Sequence, residues 1–315
     1  MINFTQKLIN EKKYDFRDSI FSSIISLIKK DKNLIVLTND LGARGIDEIK
    51  KIAPNQFINV GIAEQNLISV ASGLALTGKK VIIYGILSHI LYRGFEQIKL
   101  DVCFQNLPIQ FVCVGSGLAY GNDGPTHQSL EDLSVLRALN NIDIYNPSDD
   151  TSARFSILEA YKSKKPAFIK IDKEQLPKLY KNFTDVKKGI LMTSAKKSVK
   201  VIIISSGIIS WHSLYIQEQL EKINIPTSVY DVVRPNKFDL KKIARNKFNV
   251  IVVLEEAYDS GGLADIVTRN LIENQIIYKK FLAFNIGKKY LIGSAKREWV
   301  WKKFFDVNKI ISLIK

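Results

Sequence analysis

The 315-residue chain has only two cysteines, Cys103 and Cys113, and they form neither a CxxC pair nor a zinc spacing. Both lie in apolar segments, DVCFQ and IQFVCVG, which marks them as small buried hydrophobes. Histidine is as scarce: His89, His127 and His212 are far apart in sequence, which argues against a histidine metal cage. Long apolar runs are missing too. Val81 to Leu87 and Val199 to Ser205 are of strand length and far short of a bilayer span. The start, MINFTQKLINEKKYDF, has charge but no apolar h-region, so no secretory signal and no membrane partner are expected. A soluble cytoplasmic protein is the expectation. The chain contains no GxGxxG and no Walker lysine pattern, which disfavours a dinucleotide site or a P-loop.

What is abundant is positive charge. There are 46 Lys+Arg against 31 Asp+Glu, a formal charge of +15. The excess is uneven: residues 1–150 are net −1 and residues 151–315 are net +16. The densest stretch, residues 162–200, holds 12 basic and 3 acidic residues. No helix-turn-helix, zinc-finger or RNA-recognition signature accompanies it. We therefore read a solvated basic face, with no nucleic-acid partner.

Apolar runs of strand length alternate with segments of helical period, the pattern of an α/β protein. In the first half the strands read as residues 33–38, 80–85, 108–115, 142–146 and 167–171. Helical stretches lie between them at 17–30, 62–77, 92–105, 130–139 and 149–161, with Asp18 or Ser19 capping the first and Ser148 the last. Parallel strands with helical crossovers follow. A Lys-rich stretch from Lys173 to Lys197 breaks the rhythm and reads as a linker. A second unit has strands at 199–205, 226–232, 249–255 and 279–286, and helices at 209–222, 262–273 and 296 to the end. The predicted fold is two consecutive α/β domains, residues 1–172 and 198–315, each a mostly parallel sheet flanked by helices.

Two segments carry candidate chemistry. In NVGIAEQNLISVASGLAL (59–76), a strand end runs through Gly61 into a helix and places Glu64 in its first turn. That is the mouth of a parallel sheet, where ligands bind. A carboxylate there also complements the helix dipole, so Glu64 alone reads equally as cap or site. The second is VGSGLAYGNDGPTHQSLED (114–132), a glycine-rich loop with Asp123 and His127 four apart. Loops of this length in compact domains are usually functional.

Together, GIAEQN and, about sixty residues later, DGPTHQ resemble the transketolase family of thiamine-diphosphate enzymes. FEQIKLDVCFQNLPIQFV, LEDLSVLRALNNIDIYNPSDD and EEAYDSGGLADIV (255–267) fit as well. The resemblance spans essentially the whole chain, but only the pyrimidine-binding and C-terminal parts of a full-length transketolase. The family's GDG motif, with its magnesium-holding Asn, is absent. The resemblance therefore implies the second subunit of a split transketolase. Such a subunit transfers a two-carbon ketol unit from a ketose to an aldose, as a transferase, on sugar or sugar-phosphate substrates. It implies thiamine diphosphate and Mg2+, the ion held mainly by a separate diphosphate-binding subunit, and an α2β2 assembly. The isolated chain is then expected to be inactive.

By the same resemblance, Glu64 bonds a ring nitrogen of the cofactor's aminopyrimidine, chemistry that calls for a carboxyl whose pKa is raised by burial. His127 lies beside the reacting carbon, and Asp123 reads a sugar hydroxyl. Arg17 falls at the position of a phosphate-binding Arg, 23 residues before Asp40, and Lys173 at that of a second. Asp40 matches an aspartate near the cofactor. Three departures stand out. Where the family stacks a Phe on the aminopyrimidine this chain has His89, with Tyr92 and Phe95 nearby. A family histidine is replaced by Gly115, and a small phosphate-contacting residue near Arg44 is changed. These changes suggest substrates other than the usual pentose and hexose phosphates. The alternatives are a deoxyxylulose-phosphate synthase-like reaction, whose family typically reads DGQTHQ, and a 2-oxo-acid-decarboxylating subunit, whose family lacks DGPTHQ. A scaffold or nucleic-acid-binding derivative of the fold is the reading of a different class.

Overall fold

A computed structural model describes residues 11–192, 199–243 and 248–315. In the first unit the strands are β1 (Tyr14–Asp15), β2 (Leu34–Thr38), β3 (Phe57–Asn59), β4 (Lys80–Ile86), β5 (Ile109–Val114), β6 (Asp143–Tyr145), β7 (Ala167–Ile171) and β8 (Gln175–Leu176). In the second they are β9 (Ile190–Met192), β10 (Val201–Ser205), β11 (Thr227–Asp231), β12 (Val250–Leu254) and β13 (Lys280–Phe284). The first main sheet has six strands in the order β3-β2-β4-β5-β7-β6, and the second has five in the order β13-β12-β10-β11-β9. The first sheet is parallel throughout. The second is parallel except for β9, which runs antiparallel to β11. Val, Ile, Leu and Phe fill the central strands, and β2, β5, β7 and β10 are buried along their whole length. Helices on both faces bury a parallel sheet in this way.

Register places the strand ends in line. Thr38 lies beside both Asn59 and Tyr84, and Val114 beside both Ile86 and Ile171. The segments beginning at Asn39, Val60, Leu87, Gly115 and Asp172 therefore all leave one edge of the first sheet.

Helix entries differ in detail from the sequence expectation. Asp15, at the end of β1, caps Phe16–Lys30 by accepting from the Arg17 amide, so neither Asp18 nor Ser19 is the cap. Asp149, not Ser148, caps Asp150–Lys162 in a reciprocal box with Ser152. In each case the acidic side chain reaches the free amides of the first turn. The last helix is two, Arg297–Phe304 and Val307–Ile314, separated where Asp306 caps the second. Inside the Lys-rich stretch, β8 pairs antiparallel with β1, Phe183–Lys188 is helical, and β9 joins the second sheet. Residues 193–197 of that stretch lie outside the described residues. No helix among the described residues is long and apolar enough to cross a membrane. Cys103 and Cys113 are buried and unbridged, and burial pushes the Cys103 thiol up to about 12 and that of Cys113 well above its ordinary value.

Candidate active site

The site gathers at the carboxyl edge of the first sheet. Asn59, the last residue of β3, ties the edge together. Its Oδ1 accepts from the Asp40 amide at 2.9 Å and the Gly61 amide at 3.1 Å, and its Nδ2 donates to Asp40 Oδ1 at 3.0 Å. Asp40 has φ 66°, a left-handed conformation that Asp tolerates better than most residues. The helix Glu64–Leu76 then begins, with Glu64 as its first residue and only 6% exposed.

Three residues converge on Glu64 Oε1. Arg93 Nη1 donates at 2.7 Å and Asn39 Nδ2 at 3.2 Å, while His89 Nδ1 stands 3.9 Å away. His89 and Arg93 come from the segment after β4, where π-type turns at His89–Arg93 and Ile98–Phe104 flank a short α-helical stretch at Phe95–Gln97. Such widened turns are rare and occur frequently at functional sites. Among the described residues Glu64 Oε2 accepts no hydrogen bond. Asn39 Oδ1 and His89 Nε2 are buried without a partner.

The loop after β5 supplies the opposite wall. The His127 ring meets the His89 ring edge-on at 4.7 Å and the Tyr120 ring at 6.0 Å. Thr126 Oγ1 lies 2.9 Å from His127 Nδ1, and Ser88 Oγ donates to the Thr126 carbonyl at 3.2 Å. Burial, followed by the charges of Arg93 and His127, lowers the His89 pKa below its ordinary value. Lys173, just after β7, holds its ammonium 4.4 Å from the centre of the Tyr120 ring, a cation–π contact.

Of the residues singled out from sequence, Glu64, His89 and His127 meet, and Lys173 joins them through Tyr120. Asp123 ends a tight turn, Gly121–Asp123, in the same loop and is exposed. Arg17 commits its guanidinium to Asp15, at 2.8 and 3.1 Å, and its charge is felt by Tyr84 and Tyr120. Asp40 is bound to Asn59 at the strand ends. The Tyr92 hydroxyl turns to Glu131 Oε2 at 3.1 Å rather than to Glu64. The Arg44 side chain is 81% exposed, 3.4 Å from Asp18. The sequence reading missed Asn39, Asn59, Arg93 and Tyr120. Asn39 and Asn59 end strands of the edge that carries Glu64, which is a usable signal, whereas nothing in FEQIKLDV and its flanks marks Arg93.

The residues present suit a flat, polar-edged heterocycle. A buried carboxylate keeps one oxygen open, two further buried polar atoms beside it lack partners, and two imidazoles line the wall. A proton donor or acceptor at the ligand's ring nitrogen would complete the set.

Known proteins show the same organisation. The family described as "Transketolase, pyrimidine binding domain" matches residues 12–178, and "Transketolase, C-terminal domain" matches residues 193–304. One subunit of the apulose-4-phosphate transketolase of Phocaeicola vulgatus is 28% identical over 267 residues, which cover 82% of this chain and 84% of that protein. The 1-deoxy-D-xylulose-5-phosphate synthase of Aliivibrio fischeri (strain ATCC 700601 / ES114) is also 28% identical, but the match, 91% of this chain, spans only 46% of its length. Among solved structures, a split-gene transketolase described as an inactive beta4 tetramer superposes with TM-score 0.81 at 23% identity, covering 95% of this chain and 96% of that one. A transketolase from Campylobacter jejuni gives TM-score 0.78 at 21% identity, covering 99% of this chain and 48% of that one. With matches to both family domains along nearly its whole length, this chain belongs to the transketolase family.

Proposed function

We propose that this chain is the pyrimidine-binding half of a two-chain, thiamine-diphosphate-dependent transketolase that moves a two-carbon ketol unit from a ketose to an aldose. The observation that carries the reading is the open Oε2 of the buried Glu64, set in a helix's first turn against His89 and His127. Similarity to relatives that are each one subunit of a transketolase, over most of their length, supports a second, diphosphate-binding subunit and an α2β2 assembly. Mg2+ belongs with that partner.

Thiamine diphosphate, when bound, supplies a nucleophilic carbon for breaking and making the bond beside the ketone. The residues of this chain do the rest. Glu64 holds a proton at the aminopyrimidine ring nitrogen, with Arg93 and Asn39 orienting its carboxyl group. His89 offers an imidazole face to the ring. His127 exchanges a proton with the substrate oxygen, which needs a group that titrates near neutrality. Asp123 accepts from a sugar hydroxyl. Lys173 supplies a point charge for a phosphate, without the bidentate fork of an arginine.

The test is reconstitution with a diphosphate-binding subunit, cofactor and Mg2+, with a ketose phosphate as donor. Apulose 4-phosphate is the first to try. Aldose-dependent turnover that disappears in Glu64→Gln supports the reading. Turnover with pyruvate and with no ketose would replace it with a synthase-like reaction.

A further inference from the structure

We infer that Arg297, in the second domain, is a positioning residue that fixes the loop bearing Asp123 and His127 and the strand end bearing Lys173. Arg297 is 8% exposed, at the start of the helix Arg297–Phe304. Its guanidinium joins both domains. Nη2 donates to Asp172 Oδ2 at 2.6 Å and to Glu256 Oε2 at 3.1 Å, and Nε donates to Glu256 Oε1 at 2.8 Å. Nη1 reaches Asp172 Oδ1 at 3.2 Å and Glu174 Oε1 at 3.4 Å. The planar fork of an arginine is suited to bridging carboxylates in this way.

Both carboxylates pass the constraint on toward the candidate site. Asp172 Oδ1 accepts from the Lys173 and Glu174 amides at 2.8 and 3.0 Å, which sets the turn that lays Lys173 over Tyr120. Glu256 Oε2 accepts from the Leu118 amide at 2.9 Å, inside the glycine-rich loop. Gly117 beside it has φ +57°, and a Cβ there would run into Glu256 Oε2, so the loop and the carboxylate fit only with glycine. Trp301, one turn after Arg297, donates from Nε1 to Glu256 Oε1 at 2.6 Å and fixes the carboxylate's orientation. On the far side of the loop, the Ala295 amide donates to the Gly121 carbonyl at 2.8 Å. The second domain thus grips the 115–128 loop at two points, and the path from Arg297 through Asp172, Lys173 and Tyr120 ends on His127.

The activity arm of the test rests on the ketol-transfer reading, and the spectroscopic arm does not. With only three histidines, the His127 ring can be followed by NMR in the isolated full chain. In Arg297→Gln the His127 resonances should shift or broaden. In the reconstituted enzyme, KM for the phosphorylated substrate should rise about ten- to a hundred-fold while kcat falls less, because misplacement of a binding group weakens capture. Arg297→Lys, which keeps the charge, should restore part of both. If Arg297→Gln does not fold, the isosteric Glu256→Gln asks the same question, because it weakens the hold on Leu118. A folded variant of either kind with His127 unmoved and KM unchanged overturns the inference. So does an Arg297→Lys chain as impaired as Arg297→Gln. A wild type inactive on every ketose, with His127 still moving in Arg297→Gln, sinks the ketol-transfer reading and leaves this one standing.

Discussion

The two parallel sheets put their carboxyl edges to opposite uses. At the first, Glu64 keeps an oxygen open, and Asn39 Oδ1 and His89 Nε2 are buried without partners. At the second, the buried acids are fully engaged. Asp231, ending β11, accepts from Ser148 Oγ at 2.5 Å, Ser210 Oγ at 2.7 Å and the Tyr180 hydroxyl at 2.9 Å. Glu255, just after β12, takes the Leu263 and Ala264 amides at the start of the next helix. Glu256 is held by Arg297, Trp301 and the Leu118 amide. Arg137 and Ser134 of the first domain donate to the Gly261 and Ser260 carbonyls, which closes the same face. Ligands of parallel sheets bind at carboxyl edges. One βα architecture here supplies both an open edge and an edge occupied by the neighbouring domain. The open polar atoms, not the fold, tell the two apart.

Substitutions can break this contrast. The largest effect is expected at the open edge. Glu64→Gln should lower reconstituted turnover by about 10²–10⁴-fold, the range for losing a proton-transfer group, with little change in the melting temperature. An equal loss of turnover in Asp231→Asn would erase the distinction. At the closed edge the effect should be on folding. Arg297→Ala leaves buried carboxylates uncompensated and should cost about 3–5 kcal/mol in urea denaturation.

Acidity sharpens the comparison further. Burial pushes Asp231 up to about 7, against the opposing hydroxyl hydrogen bonds, from an ordinary value of 3.8. A carboxyl raised on folding contributes stability that is full below its unfolded pKa and is lost as pH rises through the folded value. The stability lost between pH ~4 and ~7 is therefore at most about 1.4 kcal/mol per pH unit, and Asp231→Asn should flatten that slope in thermal melts. Gly117→Ala should destabilise by about 1–3 kcal/mol, from the left-handed backbone and the crowding against Glu256. Arg44→Ala, with its exposed pair, should stay within about 0.5 kcal/mol of wild type and leave KM unchanged. A raised KM would return Arg44 to the site.

Much of the fold is legible in the chain because apolar runs of strand length mark buried parallel strands. Residues 80–85 read as a strand, and β4 is Lys80–Ile86. What escapes is short or peripheral. β3 has three residues at a sheet edge, and β1 pairs with β8 over two, too few for a period to show. The helix Arg44–Ile52 escaped because charge conceals its buried face, Gly45, Ile46 and Ile49. The Lys-rich stretch hid Phe183–Lys188 for the same reason. In the candidate site, Glu64 was legible because local spacing puts it in a helix's first turn. Arg93 was not, because its approach to Glu64 depends on the widened turns after β4.

By itself the sequence determined the alternation of strands and helices, the placement of Glu64 at a strand-to-helix mouth, and the two motifs that mark the transketolase family. These are local properties, set by period, capping and the order of residues along the chain. Only the tertiary structure decided that His89 and His127 stand 4.7 Å apart, and that Arg297 reaches Asp172 across 125 positions. The scarce histidines looked dispersed because sequence distance carries no information about which strand ends share an edge. Parallel register brings them together, and side-chain packing across the domain boundary holds them there.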